Sequence, residues 1–210
     1  MEKVKIALFD IDKTVIRHDS MFQFVKYSVR AKPWTAYRLL NIAAYTCLYK
    51  LKLMPLQKAK SAYFYAISHF REEDLEHFYD TELAPGIYPE ALAEMEALKR
   101  QGYRILLITA SPYAYMKYFS KLPAVDDVIG TNLCRVNGRY TSRIDGLNCK
   151  GEEKVARLQS YLEDNRLVID YEHSRAYSDS LTDLPMFQLV KSRYLINRSH
   201  PGLEQLTWKM

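Results

Sequence analysis

The chain has 210 residues, of which 48% are hydrophobic and 26% charged; this is the balance of an ordered globular protein, and the length suits one domain or a core carrying a smaller insertion. The formal net charge of +5 is unevenly spread, because residues 21–70 contain eight Lys or Arg and no Asp or Glu, which leaves the remainder net acidic. The three cysteines, Cys47, Cys134 and Cys149, are odd in number and lack the paired spacing of a zinc site or redox pair, so they are expected to be reduced.

The N-terminus has no signal-peptide architecture, and a cytoplasmic protein is expected. Residues 4–9 form a short apolar run ending at Asp10, which predicts a buried parallel strand with a functional loop at its carboxyl end. Residues 17–83 contain no convincing strand, only apolar and aromatic helical stretches separated near Pro33 and Pro55, and predict a helical insertion. Leu92, Met95 and Leu98 recur at helical spacing with Gly102 as a stop, and residues 103–108 then supply a second strand. Val128 and Ile129 mark a third strand. Residues 133–144, with Asn137 and Gly138 between strand-like arms, predict a hairpin. Val155, Leu158 and Leu162 share a helix face, and residues 175–178 and 194–197 read as two further strands. Strands alternating with helices predict an α/β fold, a doubly wound and mostly parallel sheet with ligands at the carboxyl ends of its strands. Asp10, Thr109 and Asp179 all fall at such ends.

Asp10 and Asp12, one residue apart after an apolar strand, carry the strongest chemical signal. A carboxylate is a competent nucleophile toward phosphorus when a divalent cation offsets the repulsion between anions, and an oxygen-rich site suits magnesium. A second acid can protonate the leaving oxygen and then activate water. The other reading is that acids at a strand end merely cap the next turn. The chain repeats the device, however, with Asp179 and Asp183 after a later strand, adds the hydroxyls of Thr109 and Ser111 after another, and has a lysine-bearing helix start at residues 150–154.

Together these four ordered segments resemble the motifs of the haloacid dehalogenase superfamily over about two thirds of the chain. The resemblance implies that Asp10 attacks phosphorus and ligates Mg2+, that Asp12 is the general acid–base and lends its backbone carbonyl to the metal, and that Asp179 is the third protein ligand. It further implies that Asp183 supports the metal shell or the lysine, and that Thr109 hydrogen-bonds the phosphoryl group. Lys154 would neutralise charge on Asp10 and phosphate, with Lys150 as the competing lysine. Asp19 and Ser111 are candidate substrate-binding residues, although Asp19 reads equally well as a helix N-cap. The long interval from Asp12 to Thr109 places a helical cap at residues 17–83, with the catalytic core at 1–16 and 84–210. This arrangement is similar to the phosphoserine-phosphatase-like branch. The run from Cys149 to Val155, with Ser178, Asp179 and Ser180, resembles the bacterial branch that includes phosphatidylglycerophosphatase C, whose members do not share one substrate.

The expected activity is hydrolysis of a small or lipid-linked phosphomonoester. The alternatives are a phosphoserine phosphatase, transfer to an acceptor alcohol, and a non-catalytic protein that binds anionic lipid. No nucleic-acid motif is present, and no nucleic-acid partner is expected. The basic, aromatic insertion admits peripheral membrane contact. Residues 39–49 are its longest stretch without charge around Trp34, and eleven residues fall short of the roughly twenty that a span requires. A helix at the lipid surface and a cap helix packed on its neighbours are both open readings.

Overall fold

In the computed structural model, which describes residues 1–54 and 61–209, the N-terminal apolar run divides at Lys5. The Val4 carbonyl accepts from Asp170 N at 2.9 Å, whereas the Lys5 carbonyl accepts from Arg104 N at 2.8 Å, so the chain changes partner between them. The one strand expected at residues 4–9 is therefore two. β1 (Glu2–Val4) pairs with β7 (Leu167–Ile169) in a two-stranded sheet, and β2 (Ile6–Phe9) enters the main sheet.

That sheet has six strands in the order β10 (Glu204–Leu206), β9 (Ser192–Ile196), β8 (Arg175–Ser178), β2, β3 (Arg104–Pro112) and β4 (Asp127–Thr131), and every pairing is parallel. β3 outruns the expected 103–108. It continues to Pro112, with a register irregularity after Ile108, so Thr109 lies inside the strand and not beyond it. The expected hairpin is present as β5 (Leu133–Val136) and β6 (Arg139–Ile144), antiparallel around Asn137 and Gly138. Both turn residues take the positive φ, 49° and 77°, that a tight hairpin turn needs.

Alternation along β2 divides the core into two layers. Ala7 and Phe9 point to one face with Ile105 and Leu107, where the helix Pro89–Arg100 packs through Ala91, Met95 and Leu98. Ile6 and Leu8 point to the other with Leu106 and Ile108, against Leu158 and Leu162 of the helix Glu152–Asp164. Burial of both faces explains the unbroken apolar sequence of β2, each such side chain contributing about 1.5–3 kcal/mol.

Within residues 17–83 the described segments form helices at Ser20–Ala31, Leu39–Lys50 and Glu72–Phe78, and contain no strand. Pro33 opens a 3-10 turn, Pro33–Arg38, that separates the first two helices. Pro55, Lys58 and Lys60 lie outside the described residues. Phe24, Phe64, Phe70, Leu75 and Phe78 join the buried cluster that contains Phe9 and Leu107, so the helices Ser20–Ala31 and Glu72–Phe78 share the core of the first face, whereas Ile42 of Leu39–Lys50 belongs to a separate small cluster with Val25 and Ala62. Phe24 stacks on Tyr115 at 5.3 Å and meets Phe78 edge-on at 5.1 Å. Among the described residues no helix is long and apolar enough to cross a membrane.

Candidate active site

Three adjacent strands, β8, β2 and β3, bring their carboxyl ends together. Asp10 follows β2 directly, and its backbone N donates to the Tyr177 carbonyl of β8 at 2.9 Å. Asp179 follows β8 in the same way, and its backbone N donates to Thr14 Oγ1 at 2.8 Å. The Thr14 hydroxyl in turn donates to Asp10 Oδ2 at 3.3 Å, which links the two strand-end acids through one buried side chain.

Opposite them, Gly151 caps the helix Glu152–Asp164 at φ 60° and ψ −124°, a conformation that L side chains rarely adopt. The turn sends Lys154 inward from the first helical turn. Its Nζ donates to Asp10 Oδ1 at 2.6 Å and to Asp183 Oδ2 at 2.8 Å, and its side chain is 2% exposed. Lys150 stands exposed at the rim of the same cavity. Asp183 Oδ2 also accepts from Ser178 Oγ at 2.7 Å.

Asp12 faces away from this pair. Its Oδ1 accepts from Ser20 N at 2.6 Å and its Oδ2 from Ser111 Oγ at 2.6 Å, with Thr109 Oγ1 further off at 3.4 Å. Ser111 lines the open cavity, of about 310 Å3, together with Asp10, Asp12, Asp19, Asp179 and Asp183. Thr109, expected to contact the phosphoryl group, is completely buried beside Ser111, and its hydroxyl also accepts from Ser111 N at 3.1 Å. Asp19 has a structural place at the edge of the site. It is the N-cap of Ser20–Ala31, accepting from Phe22 N at 3.1 Å, and it borders the cavity.

Burial dominates the electrostatics. Desolvation raises Asp10 to about 7 despite the Lys154 ammonium beside it, with Asp183 and Asp12 adding to the rise. Desolvation raises Asp12 as well, assisted by Asp19 and opposed by the Ser111 and Ser20 hydrogen bonds. Asp179 is raised by burial against the opposing pull of Arg198, whose guanidinium lies 3.4 Å away. Burial alone would lower Lys154, but Asp10 and Asp183 outweigh it and hold the ammonium above the ordinary lysine range.

A divalent cation fits this charge pattern. Asp10 and Asp183 share one buried ammonium, Lys154, the nearly buried Asp179 has only the more exposed Arg198 as its ion-pair partner, and Asp183 Oδ1 is buried with no hydrogen-bond partner. Uncompensated buried charge of this kind is costly, and a cation bound by oxygen ligands removes the cost. Among the described residues no three His, Cys, Asp or Glu groups close into a ready cage. Asp10 and Asp179 with the Asp12 backbone carbonyl make a different set, two carboxylates and one carbonyl.

Thr14, Ser178, Ser20 and Arg198 join the site without a role assigned from the sequence. Thr14 and Ser178 stood inside the two acid motifs, and Ser20 beside Asp19, so adjacency could have flagged them. Arg198 had no such signal: it follows β9, and only the fold brings it to Asp179.

The family described as haloacid dehalogenase-like hydrolase matches residues 7–188. Protein CicA of Caulobacter vibrioides is 29% identical over 208 residues, covering 94% of this chain and 88% of that protein. A histidinol-phosphatase of Neisseria meningitidis is 26% identical over 214 residues, covering 91% and 90%. Among solved structures, a protein of unknown function from Bordetella pertussis Tohama I superposes with a TM-score of 0.83 at 23% identity, over 97% of this chain and 98% of that one.

Proposed function

The chain belongs to the haloacid dehalogenase-like hydrolases, and on that premise we propose that it is a magnesium-dependent phosphomonoester hydrolase working through a phospho-aspartate at Asp10. The observation that carries this reading is the Lys154 ammonium held between Asp10 and Asp183 in a cavity lined by both acids and cations.

In the first step an Asp10 carboxylate oxygen attacks phosphorus, the bond from phosphorus to the ester oxygen breaks, and Asp12 gives that oxygen its proton. In the second step water attacks the phospho-aspartate, Asp12 takes a proton from the water, and phosphate leaves with Asp10 restored. Burial raises the Asp12 pKa, which favours the protonated form that the first step draws on. Lys154 balances charge on Asp10, and Ser111 and Ser20 fix the orientation of Asp12. Asp10, Asp179 and the Asp12 carbonyl would hold Mg2+, which supplies charge neutralisation between the anionic nucleophile and the phosphate. Asp183 would act from behind, through Lys154.

The substrate is an organic phosphomonoester, small or lipid-linked. The Neisseria relative is named a histidinol-phosphatase, which supports an organic leaving group without specifying the one used here. Helices from residues 17–83 act as a cap over the core in this reading. The test is phosphate release from a generic aryl phosphate with Mg2+ present, comparing the wild type with Asp10→Asn. The proposal expects turnover in the first and a loss of at least about a thousandfold in the second.

A further inference from the structure

The helix Leu39–Lys50 carries no charged residue before Lys50, yet only Ile42 along it is buried. A soluble helix that is apolar on all sides is normally enclosed by protein. This one is not. Ile42, 8% exposed, faces the chain, and Thr46 one turn on bonds Tyr63 at 2.8 Å. On the opposite side, Leu40, Ala44, Cys47 and Leu51 recur at i, i+4, i+7 and i+11 and form one outward stripe. Leu51 keeps the helical register, since its N donates to the Cys47 carbonyl at 3.0 Å. Leu40 is 77% exposed and Leu51 61%.

We infer that this face, together with the exposed Trp34, Tyr37 and Leu53 near its two ends, docks on an anionic lipid bilayer. The charge pattern selects that occupant. No acid occurs from residue 21 to residue 70, and Lys50 and Lys52, both exposed, flank Leu51 at the edge of the stripe. Lysines beside exposed Leu, Trp and Tyr are the composition of a segment lying in the headgroup layer, where ammonium groups reach the phosphates and aromatic rings straddle the boundary. Protein interfaces, by contrast, are depleted in lysine.

The neighbouring surface is apolar as well. An open groove of about 650 Å3 runs along the helix Ser20–Ala31, lined by Phe22, Val25, Val29 and Leu39, with Lys26 beside them and Arg30 paired to Glu82 at 2.8 Å. That same helix is capped by Asp19, on the border of the candidate active-site cavity, and its twelve residues span about 18 Å. One rigid element therefore connects the lipid-facing surface to the cavity.

Sedimentation of the full chain with phosphatidylglycerol vesicles and with phosphatidylcholine vesicles, at low and moderate salt, tests the inference. Wild type is expected to bind phosphatidylglycerol preferentially and to bind less as salt rises. Leu40→Glu with Leu51→Glu should weaken that binding at least about tenfold while leaving turnover of a soluble aryl phosphate unchanged. Lys50→Gln with Lys52→Gln should remove most of the preference for the anionic lipid. No binding of wild type to phosphatidylglycerol at low salt, or equal binding by the double glutamate variant, overturns the inference. So does a wild-type dimer in sedimentation velocity that the glutamate variant converts to monomer without vesicle binding, since a second copy would then cover the stripe. The vesicle measurements need no catalysis, so their failure is distinct from any failure of the phosphatase reading.

Discussion

Lys154 Nζ and Asp10 Oδ1 lie 2.6 Å apart in a pair that is almost entirely removed from solvent. Removing one partner of a buried pair leaves the other charge uncompensated, at a typical cost of about 3–5 kcal/mol. Lys154→Ala is expected to lose most turnover and to lower the unfolding temperature measurably. Lys150→Ala, at the exposed rim, should change stability little and activity far less. Steady-state kinetics with thermal melts of both variants make the comparison, and equal effects would contradict it.

Metal dependence should be read at the ligands and not only in the presence of chelator. Excess chelator is expected to abolish phosphate release, and Mg2+ to restore it. Asp179→Asn should raise the Mg2+ concentration for half-maximal rate, because it removes a ligand charge next to Arg198. An unchanged Mg2+ titration would take Asp179 out of the ligand set.

The buried acids also predict a pH dependence of stability in the metal-free protein. Asp10 has its folded pKa raised from 3.8 to about 7, so folding favours its protonated form. Its contribution is fully present below about 4 and is lost as pH rises through about 7. Asp12 and Asp179 shift in the same direction. Thermal melts with chelator at pH 5 and pH 8 should therefore show the wild type losing more stability at the higher pH than Asp10→Asn does. Parallel curves for the two proteins would remove the basis of this account of Asp10.

Ser111 Oγ, 2.6 Å from Asp12 Oδ2, is a stronger partner for that acid than Thr109 at 3.4 Å. A donor to the carboxylate favours its charged form. Ser111→Ala should move the limb of the kcat profile that reports Asp12 to higher pH, while Thr109→Val moves it less. Identical profiles for wild type and Ser111→Ala would assign that limb to another group.

Much of this architecture was legible because continuous burial writes itself into composition. β2 and the centre of β3 are covered on both faces, and both read as unbroken apolar runs. β8 could be read at its full extent, and Asn137-Gly138 announced its hairpin. β7 and β10 escaped notice: each has three residues, and β10, at the sheet edge, is the mostly polar Glu-Gln-Leu. The break at Lys5 was hidden for another reason, since a change of hydrogen-bond partner leaves no mark on hydrophobicity. At the site, the paired acids stood out at strand ends in the sequence, and Lys154 stood out through the resemblance to the family. The burial of Thr109 behind Ser111 and the arrival of Arg198 at Asp179 depend on where the strands end in space, which no local pattern records.

The central claim is that phosphorus is bonded to Asp10 during turnover, and a rapid acid quench with radiolabelled aryl phosphate tests it most directly. Borohydride reduces an aspartyl phosphate to homoserine, so peptide mapping after reduction identifies the residue that carried the group. The account predicts transient labelling of the wild type, homoserine at position 10, and no label on Asp10→Asn. Phosphate release without any labelled enzyme on the timescale of turnover, or label at a residue other than Asp10, would contradict it.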